Sequence, residues 1–177
     1  MLFLTSFYWN LFRDEEDTPR TLEPHIDLYI SYCGDREILK YLTSFVAQLK
    51  TKGINCFYEE KPKRRRHNVL VEAIDRSKYA IVFMTKEYHL RVLSPNNWLH
   101  LEFDHILTKY GQKKVCLVVL DADLKDQANW NSEVQKWRAN FEIFDFSDGK
   151  YKESSAQSEF VGAIVARIFG AREKAVE

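Results

Sequence analysis

A tryptophan and a glutamate four residues apart, Trp98 and Glu102, begin a segment whose residue types could carry chemistry. In WLHLEFDHILTKY, residues 98–110, apolar side chains recur at the spacing of one helix face, at Leu99, Phe103, Ile106 and Tyr110. Trp98 and Glu102 form the row beside that stripe, and His105 follows one turn on. A carboxylate there could bind sugar hydroxyls or stabilise positive charge developing at an anomeric carbon. From spacing alone, an inert, solvated helix glutamate is the more common case.

The elements that must position this segment alternate in type from residue 25 onward. Short apolar runs predict five strands, at residues 26–32, 54–58, 79–84, 115–120 and 141–146. Helical periodicity predicts helices at 36–53, 68–78 (with Asn68 as N-cap), 98–110 and 158–170, and a weaker helix near 132–139. Residues 85–97 are predicted to be a long connection. Such alternation predicts an α/β fold: a flavodoxin-like five-stranded parallel sheet of order 2-1-3-4-5 with helices on both faces.

This topology predicts where a ligand would bind. In open parallel sheets, ligands bind beyond the carboxyl ends of the strands, where the strand order reverses. Here that crevice lies between strands one and three, and it would be lined by SYCGDR (31–36) and TKEYH (85–89). Glu102, early in the following helix, is therefore predicted at the edge of this crevice.

Composition excludes several classes of protein. An apolar share of 45% and a charged share of 29% describe a folded globular chain, and a formal net charge of zero provides no global attraction for nucleic acid or anionic membrane. Cys56 and Cys116 lie in apolar runs without a CxxC pair, which predicts buried, reduced thiols in a cytoplasmic protein. The two histidines nearest each other, His100 and His105, do not share a helix face, so no metal site is predicted.

Three parts of the chain are distinguished by composition. Residues 1–24 combine an apolar segment, MLFLTSFYWNLF, with a polar linker. The apolar segment is too short to span a bilayer and lacks the basic start of a signal peptide, so we expect it to pack on the domain or on a partner. Residues 25–171 form the predicted α/β domain, and 172–177 form a tail.

Two further features leave alternatives open. The basic segment EEKPKRRRH, 59–67, could be a solvated loop, a phosphate contact, a partner-docking loop or a nuclear-import-like cluster. In GDREI, Arg36 and backbone N–H groups could bind an anion near a helix start. A two-component receiver domain would share the topology, but its phospho-accepting Asp should end strand three, where this chain reads VFMTK.

Several blocks in this order resemble the TIR (Toll/interleukin-1 receptor) domain family. The match covers about residues 25–170, and its order is more specific than any single block. The blocks are DLYISYCGD (27–35), LKTKGINCFYEE (49–60), VEAIDRSKYAIVFMTKEY (71–88) and NNWLHLEF (96–103).

This resemblance implies an activity and a set of site residues. Many TIR domains hydrolyse or cyclise NAD+ in immune or cell-death signalling, with the W-x-x-x-E glutamate, here Glu102, as catalytic residue. Trp98 would wall the pocket or stack in it, while Tyr32, Cys33 and Arg36 would line the nucleotide site. NAD+ would be the substrate, with no metal and no cofactor. Other TIR domains would be partners, through a homo-oligomer, with no specific nucleic acid and no membrane association.

The chain also departs from the family pattern. The loop after strand two usually carries an acid, a glycine and apolar residues, whereas residues 59–68 are basic and lack glycine. Thr85 stands where the family often has serine. Receptor and adaptor TIR domains without activity can also carry an aromatic-x-x-x-Glu sequence. The alternative function is therefore a non-enzymatic module for TIR–TIR interaction.

Overall fold

Runs of β-branched and aromatic residues form the strands of one sheet, and amphipathic segments form the helices that cover it. The computed structural model describes residues 25–33, 36–59, 67–110, 114–136 and 141–173. The strands are β1 Ile26–Tyr32, β2 Cys56–Phe57, β3 Ser77–Met84, β4 Val115–Val119 and β5 Phe141–Asp145. The helices are α1 Arg36–Thr51, α2 His67–Arg76, α3 Lys86–Val92, α4 Trp98–Tyr110, α5 Ser132–Lys136 and α6 Ser154–Glu173.

The strand order is β2-β1-β3-β4-β5 and every pairing is parallel, which confirms the predicted fold. In the register, Leu28 lies opposite Cys56 of β2, and Ile30 lies opposite Ile81 of β3. All seven residues of β1 are buried. A strand covered on both faces needs apolar side chains in both directions, and this accounts for the continuous apolar runs in the sequence.

The two faces of the sheet carry separate cores. Because successive strand residues point to opposite faces, Tyr29 of β1 and Cys33, just after its end, pack with α2, α3, α4 and α5. Leu28, Ile30 and Tyr32 pack with α1 and α6 on the other face. Whether a residue can contribute to a site therefore depends on the face of the sheet on which it packs, as well as on the strand that it follows.

The structure corrects the predicted connection between strand three and the helix at 98–110. A helix, α3, lies inside it. Thr85 is its N-cap, accepting a hydrogen bond from the backbone N–H of Tyr88 at 3.1 Å and donating one to the carbonyl of Cys33 at 3.1 Å. Tyr88 and Val92, one turn apart, bury its inner face.

Other boundaries shift by a few residues. α2 begins at His67, so the prediction of Asn68 as N-cap was wrong. β2 is shorter than predicted, at Cys56–Phe57, and α6 begins at Ser154, four residues before the predicted start. The apolar segment and linker at 1–24 lie outside the described residues, as does most of the basic segment, at 60–66.

The three cysteines are free thiols. Cys116 is buried, as predicted, whereas Cys56 on the edge strand β2 is only half-buried. Burial raises the pKa of Cys116 to about 11 and that of Cys56 to about 12, so both stay protonated near neutral pH. Within the residues that the structure describes, no helix is both long and apolar enough to cross a membrane.

Candidate functional site

Glu102 is a buried carboxylate on the side of α4 that is turned toward α2. The apolar stripe of α4, including Leu99, Phe103 and Ile106, packs on the sheet and is fully or almost fully buried. The row beside that stripe consequently points sideways. Glu102, in this row, is only 5% exposed. Acidic side chains are rarely this buried unless they are paired, and a buried carboxylate that lines a cavity is a candidate functional residue.

A small cavity of about 30 Å³ lies beside Glu102, between α2 and α4. Trp98, one turn before Glu102, lines the same cavity, so the structure brings this predicted pair together. Its volume suits about one water molecule, whereas ligand pockets typically measure roughly 300–1,000 Å³. The lining residues are Leu70, Val71 and Ile74 of α2, and Trp98, Leu101, Glu102 and His105 of α4.

Polar contacts hold the carboxyl-terminal end of α2 against α4. The His105 Nε2 atom lies 2.9 Å from the Asp75 Oδ1 atom. Lys109 donates hydrogen bonds to the carbonyls of Ile74 and of Ser77, the latter at 3.1 Å. Burial lowers the pKa of Lys109, and the carbonyls it binds include one left unpaired by the end of the helix. These contacts close one side of the cavity.

The predicted residues at the end of β1 do not point the same way. Tyr32 packs on the α1 and α6 face, and its hydroxyl donates a hydrogen bond to the backbone carbonyl of Glu59. Cys33 packs on the α2 and α4 face, which is the face that carries Glu102. Arg36 is the exposed first residue of α1. Of the four residues predicted to bind the nucleotide, Trp98 alone shares the cavity of Glu102.

A second, larger cleft lies at the carboxyl edge of the sheet, where topology predicted the crevice. Its volume is about 640 Å³, and Glu102 does not line it. The reason is α3, because this helix directly follows β3 and lies in the position that was predicted for the helix of Glu102. The lining residues are Glu37, Ile38, Thr85, Lys86, Glu87, Leu90, Asp121, Tyr151 and Lys152.

The lysines of this cleft are already paired. Lys86 lies 2.9 Å from a carboxylate oxygen of Asp123, and Lys152 lies 3.1 Å from one of Glu37. Hydrogen bonds with these partners raise the pKa of both lysines. No sequence pattern predicts this cluster, because its members come from separate segments that only the fold brings together. In the part of the chain that the structure describes, no three His, Cys, Asp or Glu side chains converge as metal ligands would.

Comparison with known proteins defines the family. The strand order is that of a flavodoxin-like α/β domain, and the candidate site on α4 pairs the buried Glu102 with the partly buried Trp98. The family model for the TIR domain matches residues 28–160, and this chain belongs to that family.

Among curated proteins, the chain is similar to the probable 2′ cyclic ADP-D-ribose synthase TcpO of Methanobrevibacter olleyae. The two are 25% identical over 118 residues, which cover 64% of this chain and 33% of that protein. The chain thus spans about a third of the length of this curated relative.

Two solved structures share the fold. The TIR domains of the activated Roq1 resistosome, which directly recognises the pathogen effector XopQ, match with a TM-score of 0.56 and 21% identity, covering 81% of this chain and 99% of that chain. A diflavin flavoprotein A3 from Nostoc sp. matches with a TM-score of 0.52 and 12% identity, covering 85% of this chain and 99% of that chain. At these identities the likeness concerns the fold alone.

Proposed function

We propose that this chain is a TIR-type enzyme that cleaves the bond between nicotinamide and ribose in NAD+, with Glu102 as the catalytic carboxylate. The observation that carries the proposal is the burial of Glu102 beside Trp98 in one cavity, at the W-x-x-x-E spacing. The similarity to a probable 2′ cyclic ADP-D-ribose synthase supports it, because cyclic ADP-ribose is a product of NAD+ cleavage.

In the proposed reaction the bond between ribose C1′ and the nicotinamide nitrogen breaks, and its electron pair leaves with nicotinamide. The ribose becomes an oxocarbenium-like cation. The Glu102 carboxylate would accept hydrogen bonds from ribose hydroxyls and stabilise that positive charge. Water then adds to C1′ and releases a proton, giving ADP-ribose. Addition of a hydroxyl of the same molecule gives a cyclic product instead.

This chemistry needs no metal and no bound cofactor, because the nicotinamide of NAD+ is already a cationic group that leaves as a neutral molecule. Trp98 would stack on or wall the nicotinamide. Cys33 and Arg36 remain our proposal for the nucleotide end of the site. Tyr32 would act there only through its backbone or its contact with Glu59, since its ring packs on the other face.

A non-enzymatic TIR–TIR interaction module is the second candidate, and the size of the cavity favours it. At about 30 Å³, the space beside Glu102 does not admit a nicotinamide ring in this conformation. Under either function we propose self-association with other TIR domains in the cytoplasm.

The decisive experiment measures nicotinamide release from NAD+ by concentrated protein. We expect Glu102→Gln to lower kcat by roughly 100- to 1,000-fold, since the substitution removes the charge that stabilises the transition state while keeping the shape of the side chain. Chromatography of the products separates ADP-ribose from a cyclic isomer.

Asp104→Asn is the matched control. Asp104 lies two residues away on the same helix but is exposed, so its change removes one carboxylate from α4 without touching the cavity of Glu102. Equal nicotinamide release by wild type and Glu102→Gln would rule out the proposed enzyme and favour the interaction module.

A further inference from the structure

The cavity beside Glu102 must widen before any ligand larger than water reaches the carboxylate. Its volume of about 30 Å³ compares with roughly 300–1,000 Å³ for ligand pockets. Building on the proposed function, we propose that α2 is a hinged cover over Glu102. The carboxyl-terminal end of α2 is the hinge, and apolar contact of its amino-terminal half with Trp98 and Leu101 keeps the cover closed.

Of the two helices that wall the cavity, α4 is the fixed one. Its apolar stripe is buried along its whole length, from Leu99 through Phe103 and Ile106 to Tyr110. α2 buries a shorter set of side chains, Leu70, Ala73 and Ile74. Because displacing a helix exposes the apolar surface that it buries, α2 moves at a lower free-energy cost than α4.

The carboxyl-terminal end of α2 is held in place by its chain and by hydrogen bonds. α2 ends at Arg76 and β3 begins at Ser77, so no loop separates the helix from the central sheet. The Tyr110 hydroxyl lies 2.7 Å from the carbonyl oxygen of Ile74 and 3.2 Å from that of Ser77, and Lys109 binds the same two carbonyls. These contacts make residues 74–77 the hinge.

The amino-terminal half of α2 closes on α4 through apolar side chains. Leu70 and Val71 face Trp98 and Leu101 across the cavity. Leu70 lies about 9 Å along the helix axis from Arg76, so a modest tilt about the hinge separates it from α4. Leu101 is 48% exposed, and its partial burial at the cavity rim gives a closing contact of limited strength.

Opening of this cover would expose the indole of Trp98 and the carboxylate of Glu102 together. A planar cationic ring, such as the nicotinamide of NAD+, could then take the place of Leu70 and Val71 against Trp98. Leu101 is thereby a gating residue: its contact with α2 sets how often the site opens.

Thiol labelling tests the cover without any catalytic readout. In a Cys56→Ser background, Glu102→Cys places a thiol at the floor of the cavity, and mass spectrometry of peptides measures its rate of reaction with iodoacetamide. Adding Leu101→Ala should accelerate this reaction about three- to tenfold, because the change removes about half of a buried leucine's contact. Leu90→Ala is the matched control, since Leu90 is an exposed helical leucine (56%) outside this cavity, and it should leave the rate unchanged.

Cys116 serves as an internal reporter of general unfolding, because it is native, 2% exposed and located in β4. Its labelling should not change with Leu101→Ala. Val71→Ala should also accelerate labelling at position 102, and the double variant should fall short of the product of the two effects, as expected for one shared contact.

Three results would overturn the cover: no acceleration by Leu101→Ala, equal acceleration by Leu90→Ala, or parallel acceleration at Cys116. If NAD+ is not cleaved but the labelling pattern is as expected, the proposed function is rejected and the proposal of a hinged cover stands. If NAD+ is cleaved but the labelling pattern is absent, the hinged cover is rejected and the proposed function stands.

Discussion

At the scale of single residues, burial separates the two carboxylates near the start of α4. Asp104 is exposed and can be solvated like most helix aspartates, whereas Glu102 is withdrawn from water beside apolar side chains. Removing a carboxylate from water is costly, so its position has to be stabilised by the surrounding protein or justified by a ligand. For that reason Glu102→Gln tests function, while Asp104→Asn tests only the surface of the helix.

A second buried polar residue, His89, has a structural role that makes it sensitive to pH. The backbone N–H of Asn131 donates to the His89 Nε2 atom at 2.6 Å, and the Asn131 side-chain amide donates to the His89 carbonyl at 2.8 Å. The imidazole must therefore accept at Nε2, which only its neutral form can do. Asn131 in turn caps α5 through Val134, so His89 anchors the connection after β4 to α3.

We predict that His89 makes the protein less stable in mild acid. Burial lowers the pKa of His89, so below about pH 6.5 the unfolded chain binds a proton that the folded chain does not. Stability from this residue is complete above that pH and falls as pH decreases, by at most about 1.4 kcal/mol per pH unit. Urea denaturation at several pH values between about 7.5 and about 5 measures this change in the free energy of unfolding.

The control for this prediction is His89→Gln, which retains an acceptor for the Asn131 amide but does not titrate. The difference in free energy of unfolding between wild type and this variant should narrow as the pH falls. A difference that is constant with pH would show that His89 does not titrate in this way. Taking the difference between wild type and His89→Gln cancels the pH dependence that the other histidines contribute to the free energy of unfolding.

At the scale of elements, α3 decides which residues reach the carboxyl edge of the sheet. This helix has seven residues, and its signals were limited to Thr85 as a cap and to Tyr88 and Val92 one turn apart. In the sequence alone, so short a helical pattern cannot be distinguished from a loop that connects two elements. Once formed, α3 lines the cleft at the carboxyl edge of the sheet, and the row that contains Glu102 faces α2 instead.

We predict that the stability of α3 depends on the side-chain hydroxyl of Thr85. Thr85→Val removes both the cap for Tyr88 and the hydrogen bond to the buried Cys33 carbonyl, so we expect a loss of about 1–3 kcal/mol in the free energy of unfolding. Thr85→Ser keeps the hydroxyl and should stay within about 0.5 kcal/mol of wild type. Urea denaturation compares the two variants, and equal losses would contradict the role of the hydroxyl.

At the scale of the whole molecule, α6 completes the core on the second face of the sheet through Phe160. Its ring stacks on Phe45 of α1, with centroids 5.1 Å apart, and lies 4.8 Å from Phe144 and 5.4 Å from Phe146 at β5. It also meets Phe83 of β3 edge-on at 6.4 Å. One side chain thus joins the last helix to the first helix and to two strands.

Phe160→Ala should lower the free energy of unfolding by about 3–5 kcal/mol, because it leaves a cavity among four aromatic rings. Glu159→Ala, at the exposed neighbouring position, should change it by no more than about 0.5 kcal/mol. Thermal and urea denaturation both report the difference. A small effect of Phe160→Ala would mean that the end of the domain is not coupled to its core.

The sequence by itself determined the class of fold, the strand order and the helix row that carries Trp98 and Glu102. These follow from periodicities that local geometry enforces: long apolar runs for strands buried on both faces, and a 3.6-residue repeat for α4. The family blocks added the candidate role of Glu102. The tertiary structure decided what that row faces. In the folded chain, α2 lies across Glu102, α3 lines the cleft after β3, and Tyr32 and Cys33 pack on opposite faces of the sheet. The reason is that the neighbours of a helix and the face on which a residue packs depend on contacts between segments that are distant in the sequence.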